Sequence, residues 1–374
     1  MGKSSAKPKA DAPPPVITQI IVEGFKSITT RQAVEVRPLT IFAGANSSGK
    51  SSIMQAVLLL KQTLEATYDP GPLLLDGPNV AFTSADQLLS KLGPNGQADQ
   101  FVVGIGTRDG GLETHFQRSP QKPGFYVEQH SVSQKGEHEY ILNDNMTSDQ
   151  VAAAVPDVVK QLSKLLFKES KLTWKLSRNR CFLQLTAGVD SVESSIPFAS
   201  VAATEKLIPA IIHLPGLRGN PRRSYPVTAV GTNYPGTFEN YTASVISRWQ
   251  TEGKTNKLDG LNGDLENLGL TCSVAAQAVN DTQVELQVAR LTHAAKSQNV
   301  DMVNIADVGF GVSQTLPVLV ALHVAEPHHL VYLEQPEIHL HPRAQYRLAG
   351  VLAAAIKRGV RVVVETHSSI LLLV

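Results

Sequence analysis

One short segment constrains this chain more than any other. Gly44-Ala45-Asn46-Ser47-Ser48-Gly49-Lys50-Ser51-Ser52 follows an apolar run, Leu39–Ala43, and precedes a helical pattern with Ile53, Val57, Leu58 and Leu64 on one stripe. The run before it is long enough for a buried strand, and the stripe after it recurs at helical spacing. A glycine-rich turn between strand and helix lets the backbone curl, so that successive N–H groups face one point. The helix beginning near Lys50 adds the positive end of its dipole there.

That arrangement cradles a phosphate chain, and the spacing is that of a Walker A motif. Gly44, Asn46, Ser48, Gly49 and Ser52 are the candidate backbone and side-chain contacts. Lys50 supplies a point charge for the β- and γ-phosphates, and Ser51 offers a hydroxyl to Mg²⁺. ATP and Mg²⁺ are therefore the expected ligands.

Composition bounds what surrounds this site. The 374 residues suffice for a large core and two domains, with 42% hydrophobic and 18% charged residues. The net charge of +1 gives no global field for nucleic acid, so any DNA contact must come from a local patch. Cys181 and Cys272 lie far apart without a CxxC pattern, which argues for a reducing, cytoplasmic setting and against a zinc module. No apolar run approaches the roughly 20 residues of a membrane span. Met1–Pro15 is rich in Lys, Ser, Ala and Pro and reads as a disordered tail.

A second set of residues lies near the other end. His329–Leu333 reads as a buried strand, ending in Glu334-Gln335-Pro336-Glu337-Ile338-His339-Leu340-His341-Pro342. α/β folds place ligand chemistry at the carboxyl ends of such strands. Glu334 takes the Walker B place, as the carboxylate for Mg²⁺ beside Ser51. A helix follows, with Ala344, Leu348, Val351, Leu352, Ala355 and Ile356 on one face and Gly359 as its stop. Val360–Val364 is another buried strand, ending in Glu365-Thr366-His367. Strand, helix, strand makes a parallel βαβ unit. Upstream, Asp307-Val308-Gly309-Phe310-Gly311-Val312-Ser313-Gln314 precedes an apolar helix from Thr315 to Ala325, and small residues there suit a phosphate-facing helix start.

In this order the motifs resemble the AAA-type ABC ATPases, including the heads of OLD-family proteins and PtuA-like ATPases of antiphage systems such as Septu, and more remotely RecF and SMC heads. They occupy roughly the first 65 and last 75 residues. The resemblance implies an α/β P-loop fold with a mixed, largely parallel sheet flanked by helices. It implies a homo-oligomer, a head-to-head dimer or higher, with ATP sandwiched between heads. Lys50, Ser51 and Glu334 would serve one side, Gly309, Gly311 and Ser313 would reach across to the partner's γ-phosphate, and His367 would act as the switch histidine.

Two residues depart from that pattern. Where ABC heads usually end Walker B with Asp-Glu, this chain has Glu334-Gln335. An amide cannot take a proton as a carboxylate does, though it can orient a water. Slow hydrolysis follows, or hydrolysis through Glu337. The glycine/serine segment also departs from the usual Leu-Ser-Gly-Gly form.

Between the motifs, 73–292 reads as an inserted α+β lid or dimer-contact region. Asp86-Gln87 is a candidate Q-loop position, Ser148–Phe167 is helical, Leu172–Leu185 strand-rich, and Val274–Val288 a hairpin around Asn280-Asp281. Arg218, Arg222 and Arg223 sit in one loop, suited equally to a phosphate contact or to solvent. Glu337, His339 and His341 lack a metal-ligand spacing, and a contact loop is the better reading. The apolar stop at Ile370–Val374 predicts a missing C-terminal segment. The function expected is a regulatory ATPase that controls a partner effector, a nuclease foremost, in antiphage defence. The alternatives are a RecF- or SMC-like repair ATPase binding DNA directly and a P-loop kinase.

Overall fold

The computed structural model describes residues 14–45, 48–94, 96–120, 123–134, 140–157, 160–161, 165, 172–189, 192–195, 205–229, 231–290 and 301–373. The chain opens with β1 (Gln19–Glu23), β2 (Gln32–Glu35), β3 (Leu39–Ala43) and α1 (Lys50–Glu65). Four strands follow, β4 (Gln100–Gly106), β5 (Gly110–Arg118), β6 (Phe125–Gln134) and β7 (Tyr140–Asn143). Then come α2 (Ser148–Ala154), β8 (Leu172–Asn179), β9 (Phe182–Val189), β10 (Val192–Ser195), β11 (Ile212–Leu214) and β12 (Tyr225–Pro226). Helices α3 (Thr242–Thr251) and α4 (Thr255–Asn267) lead to β13 (Val274–Asn280), β14 (Gln283–Ala289) and β15 (Met302–Asn304). The chain closes with α5 (Phe310–Val324), β16 (Leu330–Glu334), α6 (Pro342–Lys357), β17 (Arg361–Thr366) and α7 (Ser369–Leu373).

Two sheets frame the site. One is parallel throughout, in the order β11-β16-β17-β3. The other is antiparallel, in the order β2-β1-β4-β5-β6-β7. Helix α1 is buried between them, sharing one core with Ile20 and Val22 of β1 and with Leu330, Tyr332 and Val363 of the parallel sheet. A second core holds the opposite face of that sheet, Ile212, Leu214, Val331, Leu333, Val362 and Val364, against α3, α5 and α6.

Side chains alternate along a strand, so parity decides which core each residue enters. On β16, Leu330, Tyr332 and therefore Glu334 face α1, as do Val363 and Glu365 on β17 and His213 on β11. Strands buried on both faces read as unbroken apolar runs, which is why no alternation marks them in the sequence.

Several expectations change here. β3 is the edge of its sheet and only half-buried, where a buried strand is expected; β17 pairs on one side of it and no described strand on the other. The region 73–292 is not a separate lid. Gln100–Gly106 pairs with β1, and Ile212–Leu214 pairs with β16, so this stretch completes both framing sheets. The sheet system is correspondingly less parallel than the resemblance implies: among the described residues, one of the four sheets is so. Ser148–Phe167 is helical over Ser148–Ala154, closed at its start by a Thr147/Gln150 capping box, and its later part falls largely outside the described residues. The hairpin forms as expected, with β13 and β14 meeting around Asn280-Asp281.

Candidate functional site

The C-terminal ends of β3, β17, β16 and β11 converge at one edge of the parallel sheet. In register, Glu334 lies beside Glu365, and Glu365 beside Phe42, two residues before the glycine-rich turn. Gly49 adopts φ +92°, and a Cβ there would come within 2.7 Å of Ser27 Oγ, so the turn requires glycine twice over. Gly49 caps α1, and the Lys50 ammonium folds back over the turn, donating to Gly44 O at 3.0 Å and Ala45 O at 2.6 Å. Ser48 is exposed, Ser52 is buried, and Asn46 lies outside the described residues. Lys26, in the turn after β1, donates to Gln55 Oε1 at 2.7 Å and braces α1 from below.

Behind the turn stands a chain of buried polar groups. Ser51 Oγ donates to Glu365 Oε1 at 2.8 Å, and Tyr332 OH donates to Glu365 Oε2 at 3.0 Å. Tyr332 is fully buried and stacks on His213, with ring centroids 5.4 Å apart. Burial, with Glu334 and Glu365 alongside, pushes its hydroxyl well above the ordinary tyrosine range. His213 meets Glu334 Oε1 at 3.0 Å through Nε2 and Asn79 Nδ2 at 3.0 Å through Nδ1. The Asn79 amide also donates to Gly236 O, which fixes its orientation. His213 Nδ1 is thus the acceptor, and Nε2 carries the proton given to Glu334. The Gly216 N–H supplies Glu334 Oε2 at 3.1 Å. Burial alone would raise the Glu334 pKa; His213 and Gly216 more than offset it and hold the carboxylate below its ordinary range.

Gln335 follows in the left-handed region at φ 44°, an uncommon conformation for a residue with a side chain. Its N–H donates to Glu365 O at 2.7 Å and its carbonyl accepts from Arg218 Nη2 at 3.0 Å, so both sides of the turn are pinned. Glu337 is buried and holds the next strand end: its Oε1 accepts from Thr366 Oγ1 at 2.6 Å, His367 N at 3.0 Å and Ser368 N at 3.2 Å. This occupies one oxygen of the residue expected as an alternative base. The His367 side chain is exposed at the rim.

The glycine/serine segment differs from expectation in its boundary. Helix α5 starts at Phe310, with Gly309 as its N-cap, so Gly311 and Ser313 lie inside the first turn instead of in a loop before it. Ser313 is buried and donates to Phe310 O at 3.3 Å. Phe310 is half-exposed and its ring lies against His339, centroids 5.6 Å apart and tilted by 30°.

Two of the three arginines in the loop are engaged within the chain. Arg218 is buried on the Gln335 carbonyl, and Arg223 forms a two-pronged pair with Asp307 at 2.7 and 3.1 Å. Between them, Gly219 O accepts from Gln314 Nε2 at 3.1 Å. The segment therefore bridges the strand-end turn and the start of α5. Gln87 does not reach the site: its amide closes on Thr83, and Asp86 pairs with Arg118. His339 adopts φ 66° and its ring lies against Phe310, while His341 accepts from Arg343 N–H and caps α6, so the two imidazoles have different partners. Among the described residues no group of three His, Cys, Asp or Glu is placed to hold a metal ion. None of their helices is long and apolar enough to cross a membrane.

His213, Tyr332 and Glu365 are the site residues that sequence reasoning passed over. Their signal is parity combined with register: each sits at a position facing α1 on a strand of the parallel sheet.

A family model described as "AAA domain, putative AbiEii toxin, Type IV TA system" matches residues 272–373. Among solved structures the chain is similar to the SmcHead bound to the C-winged helix domain of ScpA, at 13% identity over 96% of this chain and 91% of that one, TM-score 0.48. It is similar to the SMC head domain from Thermotoga maritima, at 9% identity over 96% and 91%, TM-score 0.39. A third is the Smc head domain with an extended coiled coil bound to the C-terminal domain of ScpA derived from Pyrococcus furiosus, at 10% identity over 96% and 91%, TM-score 0.45. No curated protein matches the chain.

Proposed function

We propose that this chain is an ATP-binding, slowly hydrolysing ATPase that assembles around ATP and controls a partner effector, a nuclease foremost, in antiphage defence. The observation that carries the ATP reading is the meeting of Ser51 with a buried carboxylate at the sheet's carboxyl edge, beneath a glycine-rich turn topped by Lys50. Backbone N–H groups and the α1 terminus suit a phosphate chain. Lys50 would exchange its two loop carbonyls for phosphate oxygens.

Ser51 and the carboxylates at the ends of the neighbouring strands, Glu365 and Glu334, offer oxygen donors, the kind that Mg²⁺ accepts, from which a ligand set can be drawn. Mg²⁺ bound there would neutralise charge developing on the phosphates. Glu337 is engaged in holding the His367 turn, and Gln335 has no carboxylate, so the residues at this edge orient a water better than they deprotonate it. That supports slow turnover and a clamp-like use of ATP. The exposed Phe310 beside Gly309 and Gly311 supports a contact between copies. The defence role and the effector rest on the motif resemblance, and the family description matched over 272–373 supports the AAA-type domain.

The test is steady-state ATP turnover by wild type, Lys50→Ala and Gln335→Glu, with particle mass measured with and without ATP. Slow wild-type turnover, acceleration by Gln335→Glu and an ATP-dependent gain in mass are expected. Brisk wild-type turnover with no change in mass would overturn the clamp.

A further inference from the structure

The two carboxylates facing α1 are not equivalent. Glu334 has both oxygens taken by neighbours at the strand ends, Oε1 by His213 Nε2 and Oε2 by Gly216 N. Glu365 is engaged by the phosphate-binding turn itself, through Ser51 Oγ at 2.8 Å. We propose that Glu365 is the carboxylate that works with Ser51 on the nucleotide's divalent cation, and that Glu334 is a positioning residue that anchors the 213–218 segment. This rests on the reading of the turn as a Mg²⁺–ATP site.

Three observations carry the division. The first is topological. β17 lies between β3 and β16, so Glu365 is one strand closer to the turn than Glu334, about 4.8 Å in the hydrogen-bonding direction. The second concerns the Ser51 proton. A hydroxyl that lends a lone pair to a cation must send its proton elsewhere, and Glu365 Oε1 already accepts it. The cation therefore completes this hydrogen bond instead of competing with it. The third concerns what each carboxylate would give up. Drawing Glu334 to a cation would strand the proton on buried His213 and the Gly216 N–H without acceptors. Glu365 carries two donors of its own, Ser51 on Oε1 and the fully buried Tyr332 hydroxyl on Oε2 at 3.0 Å, but Ser51 would join the cation with it and Tyr332 can stay on the far oxygen.

The experiment measures Mn²⁺ affinity of the full chain in the presence of a non-hydrolysable ATP analogue, from the electron paramagnetic resonance signal of free Mn²⁺. A separate titration measures analogue affinity in EDTA. Glu365→Gln is expected to weaken Mn²⁺ binding about tenfold or more, Tyr332→Phe by less, and Glu334→Gln by no more than about twofold. Metal-free analogue affinity should hold in all three. A large loss confined to Glu334→Gln, or equal losses in both carboxylate variants, overturns the division. If the wild type binds no analogue under either condition, the nucleotide reading falls and the proposal with it, a result distinct from the other two. Should Glu365→Gln fail to fold, Glu365→Asp keeps the charge, draws the oxygen back from Ser51, and is expected to weaken Mn²⁺ in the same direction.

Discussion

Ser51 Oγ and Glu365 Oε1 meet at 2.8 Å although 314 positions separate them in the chain. One belongs to the first turn of α1 and the other to the last residues of β17. The contact exists because β17 pairs with β3 in register and because Glu365 faces α1 by parity. The candidate site is thus assembled by the closing of the parallel sheet, and neither end of the chain holds it alone.

Lys50→Ala should abolish nucleotide binding without unfolding the chain. The ammonium makes its two contacts to carbonyls of the turn and belongs to neither hydrophobic core. An expected loss of at least about a hundredfold in affinity for a fluorescent ATP analogue reflects removal of a charge-assisted contact. An unchanged affinity would remove Lys50 from the site.

Glu337→Ala should destabilise the protein. The carboxylate gathers three donors from the end of β17, and its loss leaves the buried Thr366 hydroxyl and the part-buried His367 N–H without this acceptor, while Ser368 N–H keeps Thr366 Oγ1. A cost of about 2–4 kcal/mol in urea unfolding is expected, with Glu337→Gln closer to wild type because its amide oxygen can still accept. If Glu337 acted instead as the base, Glu337→Gln would stop turnover while leaving stability near wild type.

His130 should contribute a loss of stability with acid between about pH 6.5 and pH 4. Its ring is fully buried, accepts from or donates to Thr114 Oγ1 at 2.9 Å, and its burial pushes the pKa down to about 4. In that window the unfolded chain takes up a proton that the folded chain refuses, so folding weakens as pH drops. The full effect is about 3 kcal/mol, the cost of moving the ring's pKa from 6.5 to about 4. A His130→Gln variant should lack this part of the pH dependence, and an identical slope in both proteins would assign it elsewhere.

Gln335→Gly should raise stability by about 1 kcal/mol, since glycine relieves a positive φ at little cost. The same variant should slow ATP turnover by removing the amide that faces the strand ends. A gain in thermal midpoint with unchanged turnover would leave Gln335 a purely conformational residue.

Local features were legible in the sequence because they depend on neighbours along the chain. The glycine-rich turn, the α6 stripe from Ala344 to Ala355 with its stop at Gly359, and the β13–β14 hairpin all announce themselves within about 20 residues. The site's inner layer did not. Glu365 reads as the ordinary end of an apolar strand, and His213 and Tyr332 as residues of unremarked ones. Their roles arise only once β11, β16, β17 and β3 are aligned, and strands buried on both faces hide the parity that would rank one polar residue above another. α5 begins earlier than its sequence suggests for a related reason: Gly309, Phe310 and Gly311 have poor helix propensity, which burial of Val312, Ser313 and Leu316 overrides.

The segment 216–223 touches the strand-end turn through Arg218 and the start of α5 through Gly219 and Arg223. A short body fastened at both ends works as a strut: it transmits a displacement where a slack loop would absorb it. A shift of the Gln335 turn must carry Gly219 and Arg223 with it, and with them Asp307 and Gln314. The edge that would read a phosphate chain and the surface around Phe310 thus move as parts of one linkage.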